Sequence, residues 1–245
     1  MEWTAPIDIY CERLSPDFWA EPVNALTNVA FVLAALWGAV TAWRLGVKHP
    51  VAWVLIVLGG LIGIGSFLFH TYATKWAELA DTIPIWTFVA VFVLAAMRYI
   101  GGMTSARVVR ASGLVIVASI LTVSLLATTE GTNPAAAPTL LNGSGQYAPA
   151  LLALVVFAAL TRRRKHPSAS WIAAAAGVFL MSLIFRTIDR DICATIPLGT
   201  HFLWHLLNAL MIGILLQMFL RTANLGCRAM AQKKGGEVGG NPPHG

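Results

Sequence analysis

The stretch VAWVLIVLGGLIGIGSFLFH, residues 51–70, carries no acidic, lysine or arginine side chain. As a helix rising about 1.5 Å per residue it is roughly 30 Å long, the thickness of a bilayer's hydrocarbon core. An apolar run of that length reads as a membrane-spanning helix, in which every backbone polar group is satisfied within the segment. Its last turns break the pattern with Ser66 and His70, spaced i, i+4 and so placed on one helical face. An ionisable side chain at membrane depth is costly and marks a functional site by default.

The remaining chain has the same character. Of its 245 residues 57% are hydrophobic and 11% charged, against about a quarter charged in soluble domains. Apolar stretches near Val23–Trp43, Val51–Phe69, Ile83–Met97, Ala111–Ala127, Tyr147–Leu160, Trp171–Phe185 and Phe202–Leu220 give seven spans. The fifth is short, starts beside Pro149, and rests mainly on the charges that follow it. Lys and Arg concentrate in cytoplasmic loops. With the N-terminus outside and strict alternation, thirteen of the seventeen basic residues fall inside, leaving Arg13, Lys75, Arg186 and Arg190 outside. Ten of the eleven acidic residues lie outside, with Glu237 alone in the inner tail. Six or eight spans would scramble this segregation. The expectation is an all-α membrane protein, a seven-transmembrane helix bundle with its N-terminus outside and its C-terminus cytoplasmic. The net charge of +6 then reflects topology and attraction to lipid, not a nucleic-acid partner.

The chain divides into an extracytoplasmic arm over 1–22, a transmembrane domain over 23–223 and a cytoplasmic tail over 224–245. The tail's Lys-, Gly- and Pro-rich composition cannot bury a core and reads as disordered. Thr128–Gln146 reads as a flexible outer loop. The first twenty-two residues lack the basic and apolar regions of a signal peptide, so the first span is expected to stay in the mature protein. Gly59, Gly60, Gly63 and Gly65 form a small-residue stripe that reads as close helix packing. Cys11 and Cys193 fall outside and Cys227 inside; the outer two could pair, or stand as two unpaired small residues.

The polar residues within the spans converge. In this topology His70 ends the second span outside, Asp81 precedes the third, and the seventh begins outside with HFLWH, residues 201–205. His201 and His205 share a face at i, i+4, a spacing by which two helical histidines grip one metal. A lone buried histidine is usually a hydrogen-bonded core residue. Here His70, His201 and His205 lie at one level, while His49, His166 and His244 fall in inner loops or the tail. Three imidazoles with one open position form a catalytic zinc pattern. Asp81 is then a candidate general base, with an N-cap before Thr82-Ile83-Pro84 as its structural alternative. Ser66 is a candidate oxyanion donor, or a hydroxyl bonded to its own helix. In the arm, Asp8, Glu12, Asp17 and Glu21, with Asn24 and Asn28, offer oxygen ligands that suit calcium, although their spacing is not an EF-hand loop and solvated acids are the alternative. Glu78, Asp189 and Asp191 among Lys75, Arg186 and Arg190 read as interfacial ion pairs.

Taken together, YCE at Tyr10–Glu12, AEPVNALTN at Ala20–Asn28, SFLFH at Ser66–His70 with Asp81 eleven residues on, and HFLWH at His201–His205 resemble the alkaline ceramidases. That family belongs to a superfamily of seven-span membrane hydrolases that includes adiponectin-type receptors. The resemblance covers nearly the whole body of the chain. It implies a zinc-dependent amidase cleaving ceramide to a sphingoid base and a fatty acid, with zinc on His70, His201 and His205 and with Ser66 and Asp81 in catalysis. It also implies a calcium site in the arm, with Glu12, Glu21 and the Tyr10 backbone carbonyl as ligands. Ile9 and Leu14 depart from that pattern, and Asp8 is a substitute one residue early. The resemblance further implies a Cys11–Cys193 bridge.

The leading function is therefore hydrolysis of ceramide or a related N-acyl lipid by an integral membrane enzyme whose active site lies near the extracytoplasmic face. Its short loops and compact arm suggest a bacterial inner membrane. The alternatives are a seven-span lipid-sensing receptor and a metal or proton transporter. Transport calls for ionisable groups at the midplane, and the inner halves of the spans carry none.

Overall fold

The computed structural model describes residues 2–114 and 140–238, and among these the regular structure is helical apart from one isolated bridge between Pro6 and Thr74. The helices are α1 (Pro22–Thr27), α2 (Val29–Arg44), α3 (Pro50–Tyr72), α4 (Lys75–Ala95, running into a π-turn over Ala96–Ile100) and α5 (105–114). A 3₁₀ segment, Leu140–Tyr147, then leads to α6 (Ala148–Arg163), α7 (Ala169–Ile188) and α8 (His201–Val238). Among the described residues, six stretches are long and apolar enough to cross a membrane: Pro22–Arg44, Pro50–Tyr72, Lys75–Ile100, Leu141–Arg163, Ala169–Ile188 and His201–Thr222. The span expected at Ala111–Ala127 lies, beyond residue 114, outside the described residues. Pro149 is tolerated because it falls in the first turn of α6, where a missing N–H costs nothing.

Helix α8 is the axis of the fold, packed by α2, α3 and α7, and Leu215, Leu216, Met218, Phe219 and Leu220 are buried along it. Lipid tails are as apolar as leucine, so helices in a bilayer associate through close van der Waals contact rather than hydrophobic exclusion. Small residues supply that contact: a Cβ on Gly38 of α2 would lie 3.2 Å from Leu216 Cδ1. One buried polar pair reinforces it, Gln217 Nε2 donating to Thr41 Oγ1 at 3.0 Å. Leu33, Leu36 and Val40 on α2, and Val57, Leu61 and Ile64 on α3, remain exposed, as a lipid-facing surface requires.

The approach of α3 to α4 sets the depth of the polar residues. Pro84 lies inside α4 and lacks the N–H that would normally meet the carbonyl of Ala80. That carbonyl lies against Gly65, where an added Cβ would collide with Ala80 O and come within 3.1 Å of Asp81 Cα. The glycine thus brings the backbone of Asp81 against the turn that carries Ser66. α4 begins at Lys75 with Thr74 as its N-cap, which corrects the reading of Asp81 as a helix start: it occupies the second turn. Lys75-Trp-Ala-Glu-Leu-Ala80 is a good helix-forming run, and Lys75 pairs with Glu78 at 3.0 Å across its first turn.

The arm is tied over this end of the bundle. Ile7 N–H donates to Ala73 O at 2.7 Å, Trp76 N–H to Trp3 O at 3.2 Å, and Cys11 is disulfide-bonded to Cys193 with Cα atoms 5.2 Å apart. Gly65→Ala is expected to lower stability by about 1–3 kcal/mol or more, because a backbone carbonyl cannot move aside as a side chain can. Gly60→Ala, which meets only Ala35 Cβ at 3.7 Å, should leave stability unchanged. Thermal unfolding of the two variants in detergent compares them directly.

Candidate metal centre

His70 comes from the last turns of α3, and His201 and His205 from the first turns of α8, so two helices running in opposite directions present them at one level. All three are 1% exposed, and each offers a ligand atom within 4.8 Å of those of the other two. Among the described residues this is the one group of three or more His, Cys, Asp or Glu side chains so placed. The rings meet edge to face, with centroids 4.6 Å apart for His70–His205 and for His201–His205.

Neighbouring residues assign the ring nitrogens. His70 Nδ1 lies 2.6 Å from Glu21 Oε2, and a carboxylate only accepts, so Nδ1 carries the proton. His205 Nδ1 lies 3.0 Å from Thr27 Oγ1. The single Thr27 hydroxyl proton faces the carbonyls of Val23 and Asn24 at 2.8 and 3.0 Å, so the oxygen accepts from His205. Both histidines are thereby left with an Nε2 lone pair, the tautomer that an outer hydrogen bond fixes in metal-binding histidines. His201 differs: its Nδ1 is buried with no hydrogen-bond partner, and its ring stacks on Tyr10 at 3.6 Å between centroids. Two imidazoles oriented by outer hydrogen bonds, and a third with an orphaned buried nitrogen, fit a zinc ion.

Asp189 anchors the start of α8. Its Oδ1 accepts the N–H groups of Thr200 (2.7 Å) and His201 (2.9 Å), and its Oδ2 accepts Cys11 N–H at 3.2 Å. A carboxylate at a helix N-terminus satisfies otherwise unpaired donors and complements the dipole. The ion pairs expected for Asp189 and Asp191 are thus replaced: Asp189 is 1% exposed and bonded to backbone, and Asp191 accepts from Asn142. Arg186 instead donates to Asn142 O and Ser144 Oγ, both at 3.0 Å, with its guanidinium over the rings of Tyr147 and Trp204. Among the described residues, Lys75–Glu78 is the expected pairing that forms.

Ser66 is buried one helical turn before His70 and interacts electrostatically with Asp81. Thr71 and Thr82 bond back to carbonyls four residues earlier, whereas Ser66 shows no such bond among the described residues. Asp81 keeps Oδ1 buried and without a hydrogen-bond partner, within electrostatic reach of His70.

In the arm, most of the oxygens expected to hold calcium meet protein donors. Both Glu12 oxygens accept backbone N–H groups, from Val23 at 2.7 Å and Asn24 at 2.8 Å, and so cap α1. Burial raises the Glu12 carboxyl above its ordinary value despite these two donors. Glu21 Oε1 accepts from Arg13, and Oε2 from His70 and Asn24. Burial alone would raise Glu21, but the hydrogen bonds it accepts from His70, Asn24 and Arg13 hold it below the usual carboxylate range. The Tyr10 carbonyl accepts from Arg13 N–H at 3.3 Å. Asp8 is exposed, and Asp17 accepts from Ser15 Oγ. Glu12, Glu21 and the Tyr10 carbonyl thus each meet protein donors. The Tyr10 ring matters instead: its phenol is raised by burial, so a neutral ring packs on His201.

Thr27 and Asp189 escaped sequence reading as site residues. Thr27 sits within the ALTN run, where only its distance from His205 in space reveals it, and Asp189 gave the signal of a carboxylate beside the last span. A family model described as Ceramidase matches residues 2–234. The alkaline ceramidase YPC1 of Saccharomyces cerevisiae (strain ATCC 204508 / S288c) is 38% identical over 88 residues, which cover 34% of this chain and 27% of that protein. The match thus spans about a quarter of the relative's own length. With the family model running across nearly all of the sequence, the chain belongs to the ceramidase family.

Proposed function

We propose that this protein is a zinc-dependent amidohydrolase that cleaves the amide of ceramide, or of a related N-acyl lipid, inside the membrane and releases a fatty acid with a sphingoid base or amine. The observation that carries the reading is the convergence of His70, His201 and His205, with ligand atoms within 4.8 Å of one another, in a chain of the ceramidase family. Bound there, zinc supplies the Lewis acidity that makes water a competent nucleophile near neutral pH. The remaining chemistry falls to two side chains. Asp81 accepts the proton of the attacking water as the carbon–oxygen bond forms, and returns it to the amide nitrogen as the carbon–nitrogen bond breaks. One water and one amide thus become one acid and one amine. Ser66 Oγ–H donates to the carbonyl oxygen while negative charge builds on it. A carboxylate oxygen with no protein donor, as at Asp81, suits a base kept free for substrate.

In the same reading the bundle has seven spans, with the fourth across Ala111–Ala127, the N-terminus and the site outside, and the C-terminus in the cytoplasm. The arm is then 1–22, the hydrolase domain 23–223 and the tail 224–245. Segregation of basic and acidic residues supports this orientation. An almost wholly apolar cleft between α4, α6, α7 and α8, lined by Phe88, Phe92, Leu154, Phe179 and Leu215, suits an acyl chain. Its wall residue Phe179 lies 6.1 Å, centroid to centroid, from Trp204, whose ring stacks towards His201.

Purified protein of known metal content is expected to hydrolyse at least one member of a panel of N-acyl lipids, to lose activity on chelation and to regain it with zinc. His205→Ala should lose both zinc and activity. Full activity in that variant after complete metal removal contradicts the mechanism, and lipid binding without turnover favours the receptor alternative. Asp81→Asn should keep its zinc while kcat falls by about 100-fold or more; wild-type kcat there removes Asp81 from catalysis.

A further inference from the structure

We propose that the Arg13 guanidinium is the built-in cation of the arm: it draws Glu21, one of the residues expected to bind calcium, into an oxygen cage of its own, and it holds His70 in place through Glu21. The cage is explicit. Arg13 Nε donates to Glu21 Oε1 at 2.5 Å, Nη1 to the carbonyls of Ser15 (3.1 Å) and Asp17 (3.4 Å), and Nη2 to the His70 carbonyl at 3.0 Å. One carboxylate and three carbonyls are the donor types that a hard cation gathers. Here a planar, permanently charged fork with five N–H donors has gathered them instead. The Arg13 and Glu21 side chains are 4% and 3% exposed, so this pair is not a surface ion pair diluted by water. Of the residues expected to bind calcium, Glu12, Glu21 and the Tyr10 carbonyl already meet protein donors, and Asp8 is exposed.

Arg13 reaches residue 70 by two routes. Nη2 holds its backbone carbonyl, while Nε holds Glu21, whose other oxygen accepts from the imidazole at 2.6 Å. Backbone and ring of the histidine are thus fixed by one side chain, which makes Arg13 and Glu21 positioning residues. An attached cation cannot be removed by a chelator or diluted away, so arm order and zinc affinity become independent of free calcium. The part concerning His70 rests on the zinc reading above; the part concerning calcium does not.

The test uses the full chain in detergent, with calcium chloride titrated into the wild type and zinc affinity read by competition with a chelator. The wild type should take up no calcium and unfold at the same temperature in excess calcium as with a calcium-selective chelator. Arg13→Ala should bind zinc about tenfold more weakly or worse, the range typical of losing a group that orients a ligand. Arg13→Lys should recover part of that loss, because it restores a cation beside Glu21 without the planar fork. Stoichiometric calcium uptake by the wild type overturns the proposal, and this arm stands even where a variant fails to fold. Unchanged zinc affinity in Arg13→Ala, or an Arg13→Lys no better than Ala, overturns it equally. A wild type that binds no zinc counts against the proposed function, and its calcium titration still judges the cage.

Discussion

Every ring nitrogen taken out of water needs a partner, and three imidazoles packed together bring six such nitrogens to one buried point. Two of the six, at His70 and His205, are met by Glu21 and Thr27 from the segment that opens the first span. The geometry of this end of the bundle follows from meeting that demand. The arm must fold back so that Glu21 reaches α3, and α1 must lie against α8 so that Thr27 reaches His205. The cost of leaving a buried polar group unmet, about 1–3 kcal/mol, exceeds the net gain of an ordinary hydrogen bond. Misplacing the arm is therefore penalised at the site itself. A metal bound there would complete the arrangement by taking the lone pairs that these hydrogen bonds orient.

The second element of this order is Asp189. By accepting two N–H groups at the start of α8 and one at Cys11, it joins the arm, the α7–α8 connection and the first ligand of α8 in a single carboxylate. Gly199 allows the approach with a left-handed φ of +66°, and an added Cβ there would collide with Asp189 Oδ1 and Cys11 Cβ. The disulfide crosses the same neighbourhood. His201 and His205 of α8 are thus positioned from outside the bundle as much as by the packing of its core.

Much of this was legible in the sequence because its controlling physics is local. Span lengths follow from the apolar runs, and the histidine triplet from i, i+4 spacing at helix ends. What was not legible depends on which donor meets which acceptor across the fold. Glu12 and Glu21 read as calcium ligands because a carboxylate in a sequence does not announce its partner; Arg13, which answers Glu21, read only as one of the basic residues left outside. Asp81 read as a helix start because Pro84 is a common first-turn residue, whereas here the helix runs through it from Lys75. Asp189 read as half of an ion pair because Arg186 and Arg190 lie near it in the chain, while in space its partners are backbone N–H groups. The lesson is specific to buried charge: sequence position locates it, but tertiary contact decides its role.

X-ray absorption at the zinc edge of the purified full-length protein tests the central claim most directly, since it reads the ligands rather than the turnover. The account predicts stoichiometric zinc with nitrogen and oxygen neighbours at about 2.0–2.1 Å and the outer scattering of three imidazoles. Sulfur at about 2.3 Å, or a protein that takes up no stoichiometric zinc, would contradict it.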